Sequence, residues 1–160
     1  MKDTAEASKT NSARAIANAY IDIAKKDEGK KLTNMQLQKL VFIAHGYCLA
    51  CLDGKPLYSE DTRAWQWGPV VPQLYKSLQE YGSDFVDKPV ETIDSLNEED
   101  IKFAIVSAVY KNYGHYSGSK LSALTHQQGT PWSITWERDK FGIIPNDIIS
   151  EHYKKLIKAS

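Results

Sequence analysis

The chain has 160 residues, of which 20 are basic and 20 acidic, so its formal net charge at pH 7 is zero. This length corresponds to one ordinary domain, which buries enough surface to fold without a metal ion or a disulfide. A neutral chain lacks the positive field that draws proteins onto nucleic acid or anionic membranes, so neither is a predicted partner. No apolar signal region begins the chain and no run of about 18 apolar residues occurs, which predicts a cytoplasmic protein.

The first helix is indicated by apolar residues that recur at helical spacing between Ala13 and Ala24. Asn11 or Ser12 is its expected N-cap, because short polar side chains accept hydrogen bonds from the free amides of a first turn. Residues 1–11 are small and polar, so we expect a frayed N-terminus. The remaining residues, 12–160, are predicted to form a single domain.

A second helix is predicted to start near Asn34, because Thr33 and Gln36 have the spacing of a capping box. Its apolar positions cover a broad surface, which is typical of a central helix packed on more than one side. The polar residues that this pattern leaves for an exposed or semi-exposed side are Gln36, Gln38, Lys39 and His45.

Two cysteines, Cys48 and Cys51, stand at C-x-x-C spacing near the end of this second helix. Redox cysteines of this kind sit at a helix N-terminus, where the dipole stabilises the thiolate, and this pair does not. A zinc site would recruit His45 and would need a second pair of ligands, which the sequence lacks. We interpret both cysteines as packing residues and predict no metal and no cofactor.

Residues 65–72 read Trp-Gln-Trp-Gly-Pro-Val-Val-Pro, and the glycine and prolines restrict the backbone so strongly that we expect an irregular, stiff segment. Residues 55–58 and 62–65 are predicted to form a hairpin that leads into it, and Pro72 suits the first turn of a third helix. Because large aromatic side chains are mostly buried, we interpret Trp65 and Trp67 as a core plug in preference to an anchor for a partner.

Residues 83–100 carry seven acidic side chains and one lysine, so they are predicted to form an exposed, mobile connection. Asn97 is the expected cap of the helix that follows. Its predicted core stripe consists of Ile101, Ala104, Ile105, Ala108, Val109 and Tyr113.

Ser117 is predicted to cap a short helix and not to act as a nucleophile, because the G-x-S-x-G motif would need a glycine two residues before it. Pro131 is expected to open another short helix. Residues 141–144 are predicted to be extended, and a last helix is predicted to begin at Pro145 or Asn146.

His126 and Trp132 lie at the two ends of the polar loop 127–130. We expect His126 to form hydrogen bonds with the loop backbone and Trp132 to pack inward, because buried polar groups are almost always satisfied.

These elements predict a mainly α fold: a compact single-domain bundle of about six helices with a small β-hairpin. The chain contains no phosphate loop, no dinucleotide fingerprint and no H-E-x-x-H motif, and its four histidines lie far apart in sequence. No catalytic residue and no enzymatic activity are therefore predicted.

Several stretches together resemble the Panacea domain of the phage-associated, SocA-like antitoxins. They are Leu-Gln-Lys-Leu-Val-Phe-Ile-Ala-His-Gly-Tyr at 37–47, Gly-Lys-Pro-Leu at 54–57, Ala-Trp-Gln-Trp-Gly-Pro-Val-Val-Pro at 64–72, Leu-Ser-x-Leu-Thr-His at 121–126 and Pro-Trp at 131–132. The resemblance extends from about residue 14 to about residue 158. It implies that the chain neutralises a cognate protein toxin by direct binding. It also implies a second role, in which the chain is an adaptor that delivers the toxin to a ClpXP-type protease.

The shared motifs imply a set of scaffold residues. These are Leu37, Gln38, Lys39, Leu40, Pro56, Leu57, Ala64, Trp65, Trp67, Gly68, Pro69, Val70, Pro72, His126, Pro131 and Trp132. The acidic connection supplies candidate partner-binding residues that could steer a basic toxin, namely Asp84, Asp87, Glu91 and Asp94. The motifs leave the oligomeric state open.

Two alternative functions are weighed against the antitoxin. A DNA-binding regulator of its own operon would need a positive surface, which the neutral composition does not indicate. A hydrolase using Ser117 or a histidine would need a second catalytic partner at a recognisable spacing, and none is present in the sequence.

Overall fold

The computed structural model describes residues 10–159, and this part of the chain contains seven α-helices and two short antiparallel strand pairs. The helices are α1 (Ala13–Lys26), α2 (Asn34–Cys51), α3 (Pro72–Leu78), α4 (Ile101–Tyr113), α5 (Gly118–Thr125), α6 (Pro131–Arg138) and α7 (Asn146–Ala159). The strands are β1 (Leu32–Thr33), β2 (Arg63–Trp65), β3 (Gly68–Val70) and β4 (Phe85–Val86). The predicted fold class, mainly α with a small hairpin, is confirmed.

Helix α2 is the centre of the molecule, and α1, α4, α5 and α7 pack around it. Helix α7 packs closely on α2 at Gly46, where the absence of a side chain leaves room for the ring of Tyr153. A Cβ at this position would lie 2.3 Å from that ring. The prediction of a helix covered on several sides is therefore confirmed. Of the four residues predicted for an exposed or semi-exposed side, Gln36 is half-buried, whereas Gln38, Lys39 and His45 are buried.

The predicted starts of α1, α2 and α5 are confirmed. Thr33 and Gln36 form the capping box at α2, with Thr33 N donating to Gln36 Oε1 (2.9 Å) and Gln36 N donating to Thr33 Oγ1 (3.2 Å). Ser12 accepts from the first turn of α1, and Ser117 accepts from the first turn of α5. These contacts join neighbours in sequence, so residue type and spacing are sufficient to predict them.

Proline positions were equally informative. Pro72 and Pro131 occupy the first turns of α3 and α6, and α7 begins at Asn146 as expected. Of residues 141–144, which were predicted to be extended, Ile143 bridges to Arg63 beside the hairpin, whereas Phe141 lies in a turn with a φ of +66°.

The hairpin differs from the prediction. Residues 62–65, predicted as its second strand, contain its first strand β2, and residues 55–58 form no strand of it. Strands β2 and β3 pair with Trp65 opposite Gly68 and Arg63 opposite Val70, so Gln66 and Trp67 form the two-residue turn. The tryptophan segment is therefore itself a regular element. Gly68 makes this possible, since its φ of +116° is a conformation that other residues rarely adopt.

The register of α4 also differs from the prediction. The helix is capped by Asp100, whereas Asn97 Oδ1 accepts from Glu99 N in the preceding turn. Of the predicted core stripe, Val109 is buried as expected, and Ile105 and Tyr113 are half-buried. Ile101, at 61% exposure, and also Ala104 and Ala108 are exposed. Helix α4 lies against α1 and α2, and the position of those two helices selects the buried face.

The N-terminal prediction falls partly outside the described residues, because residues 1–9 are not among them. Asn11, which was assigned to the frayed segment, bridges to Tyr58 and donates through Nδ2 to the carbonyl of Ser95 (3.0 Å). Within residues 10–159 no helix is long and apolar enough to cross a membrane.

Candidate partner-binding groove

The β2–β3 hairpin is fastened by side chains from three different helices. The three side chains donate hydrogen bonds to the backbone carbonyls of every second hairpin residue. Trp132 Nε1 donates to Trp65 (2.6 Å), Ser122 Oγ to Trp67 (2.6 Å) and Lys39 Nζ to Pro69 (2.9 Å). A fourth contact comes from Gln38 Oε1, which accepts from Val71 N (3.2 Å). The hairpin is therefore held rigidly against α2, α5 and α6.

The side chain of Trp67 is not part of this attachment, and it is 62% exposed at the tip of the hairpin. Our prediction that both indoles fill the core is wrong for Trp67, because a two-residue turn projects one of its side chains away from the strands it joins. Trp65 is half-buried and packs edge-on against the ring of Tyr75, with 5.3 Å between ring centroids. The two indoles thus have different environments.

Beside Trp67 lies an open groove of about 460 Å³. Its walls come from the hairpin, the start of α2, helix α3 with the segment that follows it, and the start of α5. The lining residues are Thr33, Asn34, Met35, Gln38, Lys39, Trp65, Trp67, Val70, Tyr75, Gln79, Gly82, Ser83, Ser117, Gly118 and Ser119. This size is in the range of specific binding sites, and the walls are largely apolar, as such sites usually are. The groove and the exposed indole of Trp67 form one continuous surface, which we call the Trp67 groove.

Lys39 lies at this groove and is 1% exposed. Burial lowers the pKa of its ammonium group to about 7, because a charged group loses its hydration inside the protein. Gly68 packs directly on it, since a Cβ at that position would lie 3.2 Å from Lys39 Nζ. The sequence contained a signal that we missed: a lysine between Leu37 and Leu40 in a largely apolar central helix.

The other buried polar residue of α2, His45, has partners on both ring nitrogens. Its Nδ1 accepts from Leu57 N (3.2 Å), so the proton is on Nε2, which donates to Asn146 Oδ1 (3.0 Å). The imidazole also stacks on Tyr58, with ring centroids 3.8 Å apart. Burial lowers the pKa of His45 to about 4, so the ring is neutral at pH 7.

The two cysteines differ from each other. Cys48 packs in the core as predicted, and burial raises the pKa of its thiol to about 12. Cys51 is exposed, so the packing interpretation was wrong for this residue. Among residues 10–159 no group of three or more histidine, cysteine, aspartate or glutamate side chains is placed to hold a metal ion.

Comparison with known proteins assigns the chain to a family. The family model described as antitoxin SocA-like, Panacea domain, matches residues 37–133, which include most of α2, the hairpin, α5 and the start of α6. The chain belongs to this family. It is also similar to Antitoxin SocA of Caulobacter vibrioides (strain NA1000 / CB15N), with 32% identity over 132 residues that cover 76% of this chain and 69% of the relative. No solved structure matches the chain.

In this member of the family, the residues that the family motifs imply as scaffold have one thing in common. All of them except Trp67 are buried or half-buried. Trp67 is therefore the motif residue that the fold leaves available to another molecule.

His126 and Trp132 lie side by side, with 5.1 Å between ring centroids. Trp132 packs inward as predicted and is 9% exposed. His126 departs from the prediction, because its Nδ1 contacts the carbonyl of Ser122 in α5 and not the backbone of loop 127–130. Both side chains therefore support the hairpin region from within.

The four acidic candidates occupy different places. Asp84, Asp87 and Glu91 are exposed, and Asp84 directly follows Ser83 at the end of the Trp67 groove. Asp87 accepts from the hydroxyl of Tyr81 (3.3 Å). The segment is not wholly irregular, since β4 pairs with β1.

Asp94 is not a free acidic side chain, which corrects the expectation of a flexible residue there. It accepts from Ser12 N (2.7 Å) and Ser12 Oγ (2.8 Å) at the start of α1. Although partial burial acts to raise its pKa, hydrogen bonds from Thr92, Ser12 and Asn11 lower the pKa of Asp94 to about 2. Its carboxylate connects the acidic segment to the first helix.

Proposed function

We propose that this chain neutralises a co-encoded protein toxin in the cytoplasm by binding it directly through the Trp67 groove, without catalysing a reaction. Membership of the SocA-like antitoxin family supports the antitoxin role. The observation that carries the location is the 62% exposure of Trp67 on a hairpin whose backbone is fastened by three helices.

A rigidly presented tryptophan is well suited to binding a protein. Tryptophan is enriched among the residues that dominate interface energies, because its large apolar ring is removed from water while its N–H keeps a hydrogen-bonding role. A hairpin that is already ordered loses little conformational entropy when a partner binds. The groove beside Trp67 adds apolar surface from Met35 and Tyr75.

The exposed carboxylates near the groove have a secondary part in this proposal. Asp84 lies next to the groove, while Asp87 and Glu91 lie further along the same segment. We propose that they attract a toxin with basic residues around its contact surface. Charges at the edge of an interface change the association rate and its salt dependence more than the final affinity.

The test is to express the neighbouring reading frame in bacteria with and without this chain, and to measure survival and co-purification. We expect rescue together with a stable complex. Trp67→Ala should abolish both while the protein stays folded, whereas the control Phe141→Ala, which removes another exposed aromatic ring outside the groove, should retain them. Rescue without a complex would refute direct binding, and the absence of rescue for every neighbouring gene would refute the antitoxin role.

Delivery to a ClpXP-type protease, which the family resemblance implies, is a further step that the same strains measure. If the chain acts as an adaptor, the toxin's half-life should shorten in its presence and return to normal when the protease is deleted. An unchanged half-life with full rescue would mean that the toxin is masked by binding and is not degraded.

A further inference from the structure

The Trp67 groove contains one basic side chain and no acidic side chain to pair with it. Lys39 is the charged side chain at its wall, and the lining residues among those described include no aspartate or glutamate. The ion pairs recorded within residues 10–159 all join other residues, and Lys39 Nζ makes a single hydrogen bond, to the carbonyl of Pro69.

Two helices also begin at this groove. The cap and first two residues of α2 line it, as do the cap and first two residues of α5: Thr33, Asn34, Met35, Ser117, Gly118 and Ser119. A helix N-terminus carries a partial positive charge from its unpaired amides and favours a negative group nearby. The helix starts add to the field of Lys39 in the same groove.

A buried lysine is a costly way to fasten a hairpin. The contact to the Pro69 carbonyl requires one neutral donor, and the same hairpin uses a serine hydroxyl and an indole N–H for the equivalent contacts at Trp67 and Trp65. Burying an ammonium group without an anion is unfavourable, and the penalty falls when a carboxylate is brought to it. The unused donors of Lys39 thus suggest a role beyond holding the hairpin.

We infer that the Trp67 groove receives an acidic side chain of the protein partner, a glutamate or aspartate flanked by apolar residues, whose carboxylate pairs with Lys39 Nζ. The apolar flanks contact Trp67 and Tyr75, which lie on the walls of the same groove. This inference rests on the proposed function, protein binding at the groove, and specifies the chemical nature of the bound segment.

Three short peptides with matched shapes test this inference on the full-length chain. Acetyl-Leu-Glu-Leu-amide carries an internal carboxylate, acetyl-Leu-Gln-Leu-amide is its neutral counterpart, and the free acid of acetyl-Leu-Gln-Leu carries only a terminal carboxylate. Binding is followed by nuclear magnetic resonance through the indole N–H signal of Trp67 and the ε-methylene signal of Lys39.

We expect the glutamate peptide to bind about tenfold more tightly than the glutamine amide, as is typical of one charge-assisted hydrogen-bonded contact. It should shift the Lys39 signal in the unmodified protein, which shows direct pairing without any substitution. In Lys39→Met the preference for glutamate should disappear while apolar contact with Trp67 remains.

The inference is overturned if the glutamate and glutamine amides bind equally, if neither binds, or if the preference survives in Lys39→Met. Tighter binding of the free acid than of the glutamate peptide would overturn the assignment to a side chain. These peptide results are independent of the rescue experiment, so rescue without glutamate preference would refute this inference and leave the proposed function standing. Should Lys39→Met not fold, the shift of the Lys39 signal in the unmodified protein decides the question.

Discussion

The two halves of α2 each bury a side chain that can carry positive charge, but they treat it differently. In the C-terminal half, which we call the closed end, His45 is neutral and hydrogen-bonded on both nitrogens to Leu57 and Asn146. In the N-terminal half, which we call the open end, Lys39 makes one hydrogen bond and lies at the wall of the Trp67 groove. A buried polar group with all its partners holds a fold together, whereas one with unused donors can still bind something.

The largest effect should come from removing the imidazole of the closed end. His45→Ala leaves the amide of Leu57 and the side chain of Asn146 without their partner and removes a ring stacked on Tyr58. We expect a loss of about 3 to 4 kcal/mol in the free energy of unfolding. Urea denaturation measures this, and a loss near zero would mean that the network does not hold α2 to its neighbours.

The pH dependence of stability should identify the same residue. The pKa of His45 is about 4 in the folded state and close to 6.5 in the unfolded chain, so between these values the unfolded state binds more protons. Stability is therefore fully present above pH 6.5 and should fall by roughly 3 kcal/mol as the pH falls to 4.

The control for this experiment is His152→Gln, because burial also lowers the pKa of His152. That variant should keep most of the slope between pH 6.5 and 4, and His45→Gln should lose most of it. The reverse result would assign the acid sensitivity to α7 and not to the closed end.

At the open end, Lys39 should make stability rise with pH. The pKa of Lys39 is about 7 in the folded state and close to 10.5 in the unfolded chain, so between these values the unfolded state again binds more protons. We expect the free energy of unfolding to increase by about 2 kcal/mol between pH 7 and pH 9, and this increase should be absent in Lys39→Met. Above this range the raised pKa of Cys48 acts in the opposite direction. A flat profile in the unmodified protein would indicate that water reaches Lys39.

A smaller loss is expected where the hairpin touches Lys39. Gly68→Ala forces alanine into a φ of +116° and brings a Cβ within 3.2 Å of Lys39 Nζ. Backbone strain of this kind should cost about 1 to 2 kcal/mol, as measured by thermal melting. Gly29→Ala is a control that lacks this contact, since its φ of +72° is also positive but a Cβ there meets no atom within 4 Å. Equal losses in both variants would assign the whole effect to φ and none to the contact with Lys39.

The smallest effect on stability should be that of Trp67→Ala. Because the side chain is 62% exposed and only its backbone carbonyl fastens the hairpin, the free energy of unfolding should change by less than about 0.5 kcal/mol. The same variant should lose toxin binding. A large loss of stability would show that the indole supports the fold and would remove the reason for placing the binding surface there.

Sequence reasoning was accurate for most helix starts, which depend on neighbouring residues, although it placed the cap of α4 at Asn97 and not at Asp100. The capping box of Thr33 and Gln36, the caps Ser12 and Ser117 and the first-turn prolines all act within a few residues, so residue type and spacing suffice. The same local patterns predicted a mainly helical fold, and the motifs spread along the chain indicated the family that comparison established.

Burial was decided by the tertiary structure, because it depends on which distant elements cover a residue. Lys39 and His45 read as exposed positions of a helix, yet the hairpin covers the first and the segment around Leu57 covers the second. Trp67 reads as a core residue, yet a two-residue turn places it at the hairpin tip. In α4, packing against α1 and α2 turned Ile101 outward. Local chemistry determined where the helices of this protein begin, and only the packing of its helices around α2 determined which side chains remain available to bind.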